Sequence, residues 1–292
     1  MPPETQFEEF RPLLFSLAYR MLGTRSDAED IVQDAWLRWR AASSDEIRQP
    51  KSYLTTIVAR LSLDSLKSAR RQRETYVGEW LPEPIVEPPG SSSVEMAESL
   101  SLAFLHILET LTPDERVAFL LREVFDADYA EIASTLETSE ANCRQLIARA
   151  RKHIRDRRPR FKVDRARQQS VLQQFLSACQ TGDPSKLLPL LSPEVVLHSD
   201  GGGKVRSTIN PIYGADKVQR FFFGIAKKGA TIGLTPRWVD VNGNPGALLM
   251  QGDHAASVVS IQLTESGQID RIFLMTNPDK ISDPRPSVFI SG

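Results

Sequence analysis

Apolar residues recur at helical spacing through the first half of the chain and give way to strand-like alternation in the second. Between Met1 and Tyr76 the pattern predicts three helices. In the second, Ala28, Ile31, Val32, Ala35, Trp36 and Trp39 line one face, leaving Asp27, Glu29, Asp30 and Asp34 outside it. Ser26-Asp27-Ala28-Glu29 has capping-box spacing, in which a hydroxyl and a carboxylate satisfy free N–H groups at a helix start. This helix runs to about Ala42. A third helix begins near Pro50 and turns Tyr53, Leu54, Ile57, Val58, Leu61 and Leu66 inward.

Residues 78–93 hold Pro82, Pro84, Pro88, Pro89 and Gly90, a composition that cannot continue a helix and reads as a linker. Helical pattern resumes over 94–111. Thr112-Pro113-Asp114-Glu115 and Asp128-Tyr129-Ala130-Glu131 are two further capping boxes, so helices are expected over 113–125, 129–136 and 140–155. The last two are separated only by Glu137-Thr138-Ser139, and a short helix, tight turn and longer helix make a helix-turn-helix. Beyond about Arg165 a helix over 168–181 precedes strand-like runs at 195–197, 247–251, 257–263 and 269–275, the pattern of an α+β domain. The organisation read from these patterns is multi-domain. Two all-α domains span 1–76 and 96–160, a linker spans 77–95, and an α+β domain spans 166–285.

The length of 292 residues fits two or three domains, and 41% hydrophobic with 25% charged residues is the composition of a soluble globular protein. No apolar run approaches the roughly 18–20 residues that a membrane-spanning helix needs, and Met1-Pro2-Pro3-Glu4-Thr5 is not the start of a secretory signal. A cytoplasmic protein without membrane contact is expected. Cys143 and Cys179 stand apart, with no Cys/His cluster, so reduced thiols are expected, with neither a metal site nor a cofactor.

The net charge of −1 argues against nucleic-acid binding until it is counted by segment. Between Glu140 and Arg165 there are 10 basic and 3 acidic residues. On the 140–155 helix, Cys143, Leu146, Ile147, Ala150 and Ile154 form an inward stripe, leaving Ser139, Glu140, Arg144, Gln145, Arg149, Arg151 and Lys152 as the candidate DNA-contacting set. A solvated basic helix ending an ordinary bundle is the competing reading. A second basic cluster, Lys67, Arg70, Arg71 and Arg73, ends the third helix, where the helix dipole accounts for one or two cations but not four.

Four blocks in this order carry a resemblance: Asp27 to Trp36, Ser52 to Arg60, Leu111 to Arg116, and Tyr129 to Ala133. They resemble the motifs of extracytoplasmic-function (group IV) RNA polymerase sigma factors over residues 1 to about 160. The resemblance implies a non-enzymatic factor that brings RNA polymerase core to specific promoters. It implies that Asp27, Glu29, Asp30, Gln33, Asp34 and Trp36 meet the β′ coiled coil of polymerase. It further implies that Arg60, Asp64, Lys67, Arg70, Arg71 and Arg73 serve the −10 element, and that the helix-turn-helix serves the −35 element and the β flap. Leu61 departs from the Asn that many members carry after Arg60.

Three further motifs, Trp80-Leu81-Pro82-Glu83-Pro84, Asp200-Gly201-Gly202-Gly203-Lys204 and Asn277-Pro278-Asp279-Lys280, resemble those of the subgroup with a C-terminal SnoaL-like domain. That resemblance implies a cone-shaped α+β fold that regulates the sigma regions from within the same chain. Their separation along the chain leads us to expect them in one intramolecular contact region. Two alternatives accompany this reading. His198, Asp200, Asp253 and His254 are candidates to line a pocket as an acid/base set, making a cyclase-like or isomerase-like enzyme fused to a DNA-binding region. Alternatively the cone senses an unknown small-molecule ligand.

Overall fold

The computed structural model describes residues 3–42, 47–73, 75–91, 100–155, 164–205, 207–227 and 233–281, the side chains of residues 69–73 excepted. The chain forms two compact units that alternate in sequence. One comprises Met1–Thr75 and Leu105–Arg158, the other Tyr76–Phe104 and Pro159–Gly292.

In the first unit α1 (Pro3–Leu22), α2 (Arg25–Ala41) and α3 (Pro50–Arg73) pack on one another. Their apolar stripes meet in a core that includes Leu14, Leu17, Ala28, Ala35, Trp39, Leu54 and Val58. Helix α2 does not start with the expected Ser26–Glu29 box. Thr24 is its N-cap and its hydroxyl bonds to Asp27 Oδ2 rather than to a backbone N–H. The Glu29 carboxylate is taken by Arg25 at 2.8 Å, which removes the second half of the box.

The expected 94–111 helix is also revised. Leu100 is helical, Ser101 is not, and helix α4 covers Leu102–Leu108, with Ser101 Oγ accepting from Phe104 N at 3.2 Å, so a polar cap interrupts the run; residues 92–99 lie outside the described residues. The other two capping boxes form. Thr112 and Glu115 exchange bonds at the start of α5 (Pro113–Glu123), and Asp128 and Glu131 do so at the start of α6 (Tyr129–Leu136). Glu137 adopts the left-handed conformation at φ 52°, turning the chain toward α7 (Glu140–Arg155). Ser139 then caps α7 by accepting from Asn142 N at 3.2 Å.

The second unit is a seven-stranded sheet with helices on one face. After α8 (Arg165–Thr181) and α9 (Pro184–Leu187) come β2 (Leu191–Asp200), β3 (Ile212–Tyr213), α10 (Ala215–Lys227), β4 (Leu234–Val241), β5 (Asn244–Gln251), β6 (His254–Leu263) and β7 (Ile269–Met275). Strand β1 (Val86–Glu87) comes from the proline-rich segment, and the order across the sheet is β1-β4-β5-β6-β7-β2-β3. Every pairing is antiparallel except β2 with β7, where Asp200 lies opposite Met275.

Val171, Leu172 and Phe175 of α8 and Val218 and Phe222 of α10 cover one sheet face, filling it with side chains. On the other face Leu81 and Leu102 pack against Val239, Leu248, Val258, Phe273 and Met275. The proline-rich segment is therefore a strap laid on the sheet, not a free linker. Burying an apolar side chain such as Leu81 contributes about 1.5–3 kcal/mol. Among the described residues no helix is long and apolar enough to cross a membrane.

Candidate functional site

On α7 the 3.6-residue period separates two faces cleanly. Cys143, Leu146, Ile147, Ala150 and Ile154 are buried, while Ser139, Glu140, Arg144, Gln145, Arg149, Arg151 and Lys152 are all exposed. Their cations are oriented by neighbours. Arg144 bonds Glu140 at 2.7 Å and lies 4.7 Å from the Tyr129 ring centroid, Arg151 bonds Glu123 at 2.6 Å, and Arg149 lies 3.7 Å from Glu115. The Arg144–Glu140 and Arg151–Glu123 pairs lie at the solvent surface and hold a guanidinium in place for little energy, about 0–1 kcal/mol each, so an anion of another molecule can replace the partner.

On α2, Asp27, Glu29, Asp30, Gln33 and Asp34 are exposed on one side; Trp36 is half-buried, its ring 5.0 Å from Phe7 and 5.8 Å from the Arg40 guanidinium. On α3, Asp64 and Lys67 are exposed and Arg60 is half-buried. The side chains of Arg70, Arg71 and Arg73 lie outside the described residues.

The three dispersed motifs of the second unit converge on Asp200, which is 0% exposed. Its Oδ1 accepts from Tyr76 Oη at 2.6 Å and from Gly202 N at 2.9 Å. Its Oδ2 accepts from Leu81 N at 3.0 Å and from Lys280 Nζ at 2.8 Å. Lys280 Nζ also donates to Leu81 O at 2.6 Å and sits 4.1 Å from the Trp80 ring centroid, so the strap's backbone and an aromatic face both hold the ammonium.

Asn277 donates to Tyr76 Oη at 3.0 Å, and Lys204 pairs with Asp279 at 2.6 Å on the exposed rim. Burial, and then the Asp200 carboxylate, push the Tyr76 phenol well above its ordinary range. Gly202, at φ 63°, has no room for a Cβ, which would lie 2.5 Å from Asn277; a Cβ on Gly201 would lie 2.4 Å from Val205 O. Pro82 and Pro84 are buried and Glu83 is half-buried along the same strap.

A second anchor holds the strap's far end. Asp240, also 0% exposed, accepts from Gly90 N at 2.8 Å and pairs with Arg165, while Asn242 exchanges two bonds with Ile85.

Residues 6–72 match the family model described as sigma-70 region 2, and residues 101–154 the model described as sigma-70, region 4. The chain is 37% identical over 290 residues to the Mycobacterium tuberculosis ECF RNA polymerase sigma factor SigJ, covering 95% of this chain and 93% of that one. The chain belongs to the extracytoplasmic-function sigma factors. It is also 32% identical to the probable ECF RNA polymerase sigma factor SigI of M. tuberculosis, covering 97% of this chain and 96% of that one. The crystal structure of SigJ superposes with a TM-score of 0.77 at 36% identity, covering 94% of this chain and 97% of that one, so the α+β unit is shared as well as the helices. As an ECF sigma factor the protein acts in promoter-specific transcription initiation, with RNA polymerase core and promoter DNA as its partners.

In this sigma factor the four groups considered as an acid/base set are not gathered. His198 is buried beside the strap, bonded to Glu79 at 2.8 Å and stacked on Phe273, and Asp200 is consumed by its four donors. Asp253 and His254 are exposed at the β5–β6 turn. The sequence reading missed Tyr76, Asp240 and Asn242. The last two are polar residues at i and i+2 that flank Val241 at the end of β4, a signal that buried acceptors await donors from elsewhere.

Proposed function

We propose that this ECF sigma factor reads the −35 element with the exposed face of α7 and the −10 element with Arg60, Asp64, Lys67, Arg70, Arg71 and Arg73. In this reading the acidic side of α2, with Trp36, docks on the β′ coiled coil, region 4 meets the β flap, and the C-terminal α+β unit regulates the sigma regions from within the chain. The observation that carries the regulatory part is the closure of three motifs on one buried carboxylate. Lys280, Leu81 and Asp200 hold the strap, and the strap is the covalent connection between region 2 and region 4.

A connection bound along its length restricts the separations its two ends can reach, whereas a free one would let each region find its promoter element independently. Strap release therefore changes the effective concentration of one region relative to the other. The test is run-off transcription with RNA polymerase core, comparing the full chain with chains ending after Arg165 or after Ile281. The first truncation is expected to change transcript yield severalfold and the second to leave it near that of the full chain; equal yields from all three reject regulation by the α+β unit.

A further inference from the structure

Tyr129, half-buried and the first residue of α6, is met by guanidiniums from both neighbouring helices of region 4. Arg144 of α7 lies 4.7 Å from its ring centroid and Arg122 of α5 lies 5.1 Å from it. Arg122 is itself fixed. It donates at 2.8 Å to Ala127 O in the turn before α6, and Ala127 N donates to Leu121 O at 2.9 Å. The Asp128–Glu131 capping box then sets where α6 begins, so the backbone carrying the ring is tied both to α5 and to its own helix.

An exposed arginine must order a long side chain before it can make a directed contact, and that lost entropy opposes binding. Two neighbours supply the order for Arg144. Glu140, one turn earlier, accepts one N–H at 2.7 Å, and the Tyr129 ring lies under the cation. The two restraints differ in kind. The carboxylate occupies a donor that a base edge would use, whereas the ring attracts the delocalised charge and leaves the N–H fork available.

We propose that Tyr129 is a positioning residue for sequence readout: it keeps the Arg144 guanidinium aimed while DNA displaces Glu140, so that the freed fork meets a guanine edge without first being ordered. This rests on the reading of α7 as the −35 helix. Arg144 is the fifth residue of α7, and the N-terminal residues of a recognition helix are those that reach base edges. Arginine bonded to both O6 and N7 of guanine is the commonest such contact, and it needs two parallel donors in one plane. Tyr129 carries no charge in this role, so its loss leaves attraction to phosphates intact and falls on the one base pair that Arg144 reads.

The experiment uses the full-length chain with RNA polymerase core on a pool of templates randomised across the −35 and −10 elements. Each template carries a transcribed barcode, so sequenced transcripts give a base preference at every position. Arg144→Ala marks the position that Arg144 reads, as the one whose guanine preference disappears. Tyr129→Ala is expected to lower that preference by about threefold, the size of an exposed cation–π contact, and to leave the other positions unchanged. Tyr129→Phe, which keeps the ring, is expected to retain it. Tyr129→Leu keeps apolar bulk without a ring and is expected to match the alanine variant, which separates aiming from folding. A preference unchanged in Tyr129→Leu, or lowered equally at every position, overturns the positioning role while a loss in Arg144→Ala leaves the −35 reading standing. No loss at any position in Arg144→Ala overturns the −35 reading of that arginine and the proposal with it.

Discussion

Lys280 Nζ lies 2.8 Å from Asp200 Oδ2, the two side chains 9% and 0% exposed. Removing one member of a buried pair leaves an uncompensated charge and costs about 3–5 kcal/mol. Lys280→Met is therefore expected to free the strap, and amide exchange at Leu81, whose N–H is held by Asp200, reports it. Adding Asp200→Asn removes the stranded charge, so the double variant is expected to lose less than the sum of the single losses.

Tyr76 gives the strap a pH limit. Its phenol titrates above the ordinary 10.0 because of burial and the Asp200 carboxylate, so the unfolded chain releases this proton before the folded one does. The resulting stability is fully present below the unfolded value and is lost as pH rises through the alkaline range above it. Unfolding measured across that range is expected to show a steeper alkaline loss for the natural chain than for Tyr76→Phe. At neutral pH that variant loses about 1.5–3 kcal/mol, because the hydroxyl's bond to the buried Asp200 carboxylate goes with it.

Two glycines with nearly the same backbone separate conformational strain from steric clash. Gly202 has φ 63° and Asn277 at 2.5 Å from its ideal Cβ; Gly252 has φ 61° and nothing within 4 Å. Gly252→Ala carries only the left-handed cost of about 1–2 kcal/mol. Gly202→Ala adds displacement of Asn277 and with it the bond to Tyr76. Thermal unfolding of the two variants is expected to rank Gly202→Ala as the more damaging.

Arg144 projects from the exposed face of α7 without filling any core position. Arg144→Ala is expected to reduce transcription from a cognate promoter by about tenfold if the guanidinium reads a base edge, a contact worth about 1–3 kcal/mol of discrimination. Helix content should be unchanged. Unaltered transcription would remove Arg144 from the −35 set.

The two thiols should be inert in the folded protein. Burial raises both, Cys179 to about 12, so little of either is thiolate at mildly alkaline pH. A thiol-reactive dye is expected to label neither until denaturant is added, when both react.

What the sequence made legible was local. Capping at Thr112 and Asp128 and the inward stripe of α7 each depend on residues a few positions apart, and periodicity and spacing reveal them. The box at Ser26 failed because Thr24 is the N-cap and Arg25 takes the Glu29 carboxylate that the box would offer to the Ser26 N–H. Strand β4 escaped notice because Pro236, Arg237 and Asp240 interrupt its apolar alternation, and its pairing with β5 and β1 overrides that weak propensity. The strap was legible as proline-rich, and its docking on the Asp200 and Lys280 motifs was expected from their resemblance, whereas the Asp240 anchor was not, since nothing local links Gly90 to a residue 150 positions away. The resemblance joined the three motifs, but the donor and acceptor geometry at Asp200 came only from the fold.

The alternation of the two units along the chain gives synthesis an order. Region 4 is complete by Arg158, yet the sheet that receives the strap needs residues up to Lys280. At about 5–20 residues per second, translation of residues 159–281 takes roughly 6–25 s. During that interval each new molecule carries both sigma regions and a strap with nowhere to bind. The regulation proposed for the α+β unit is thus acquired only at the end of synthesis, after both sigma regions already exist.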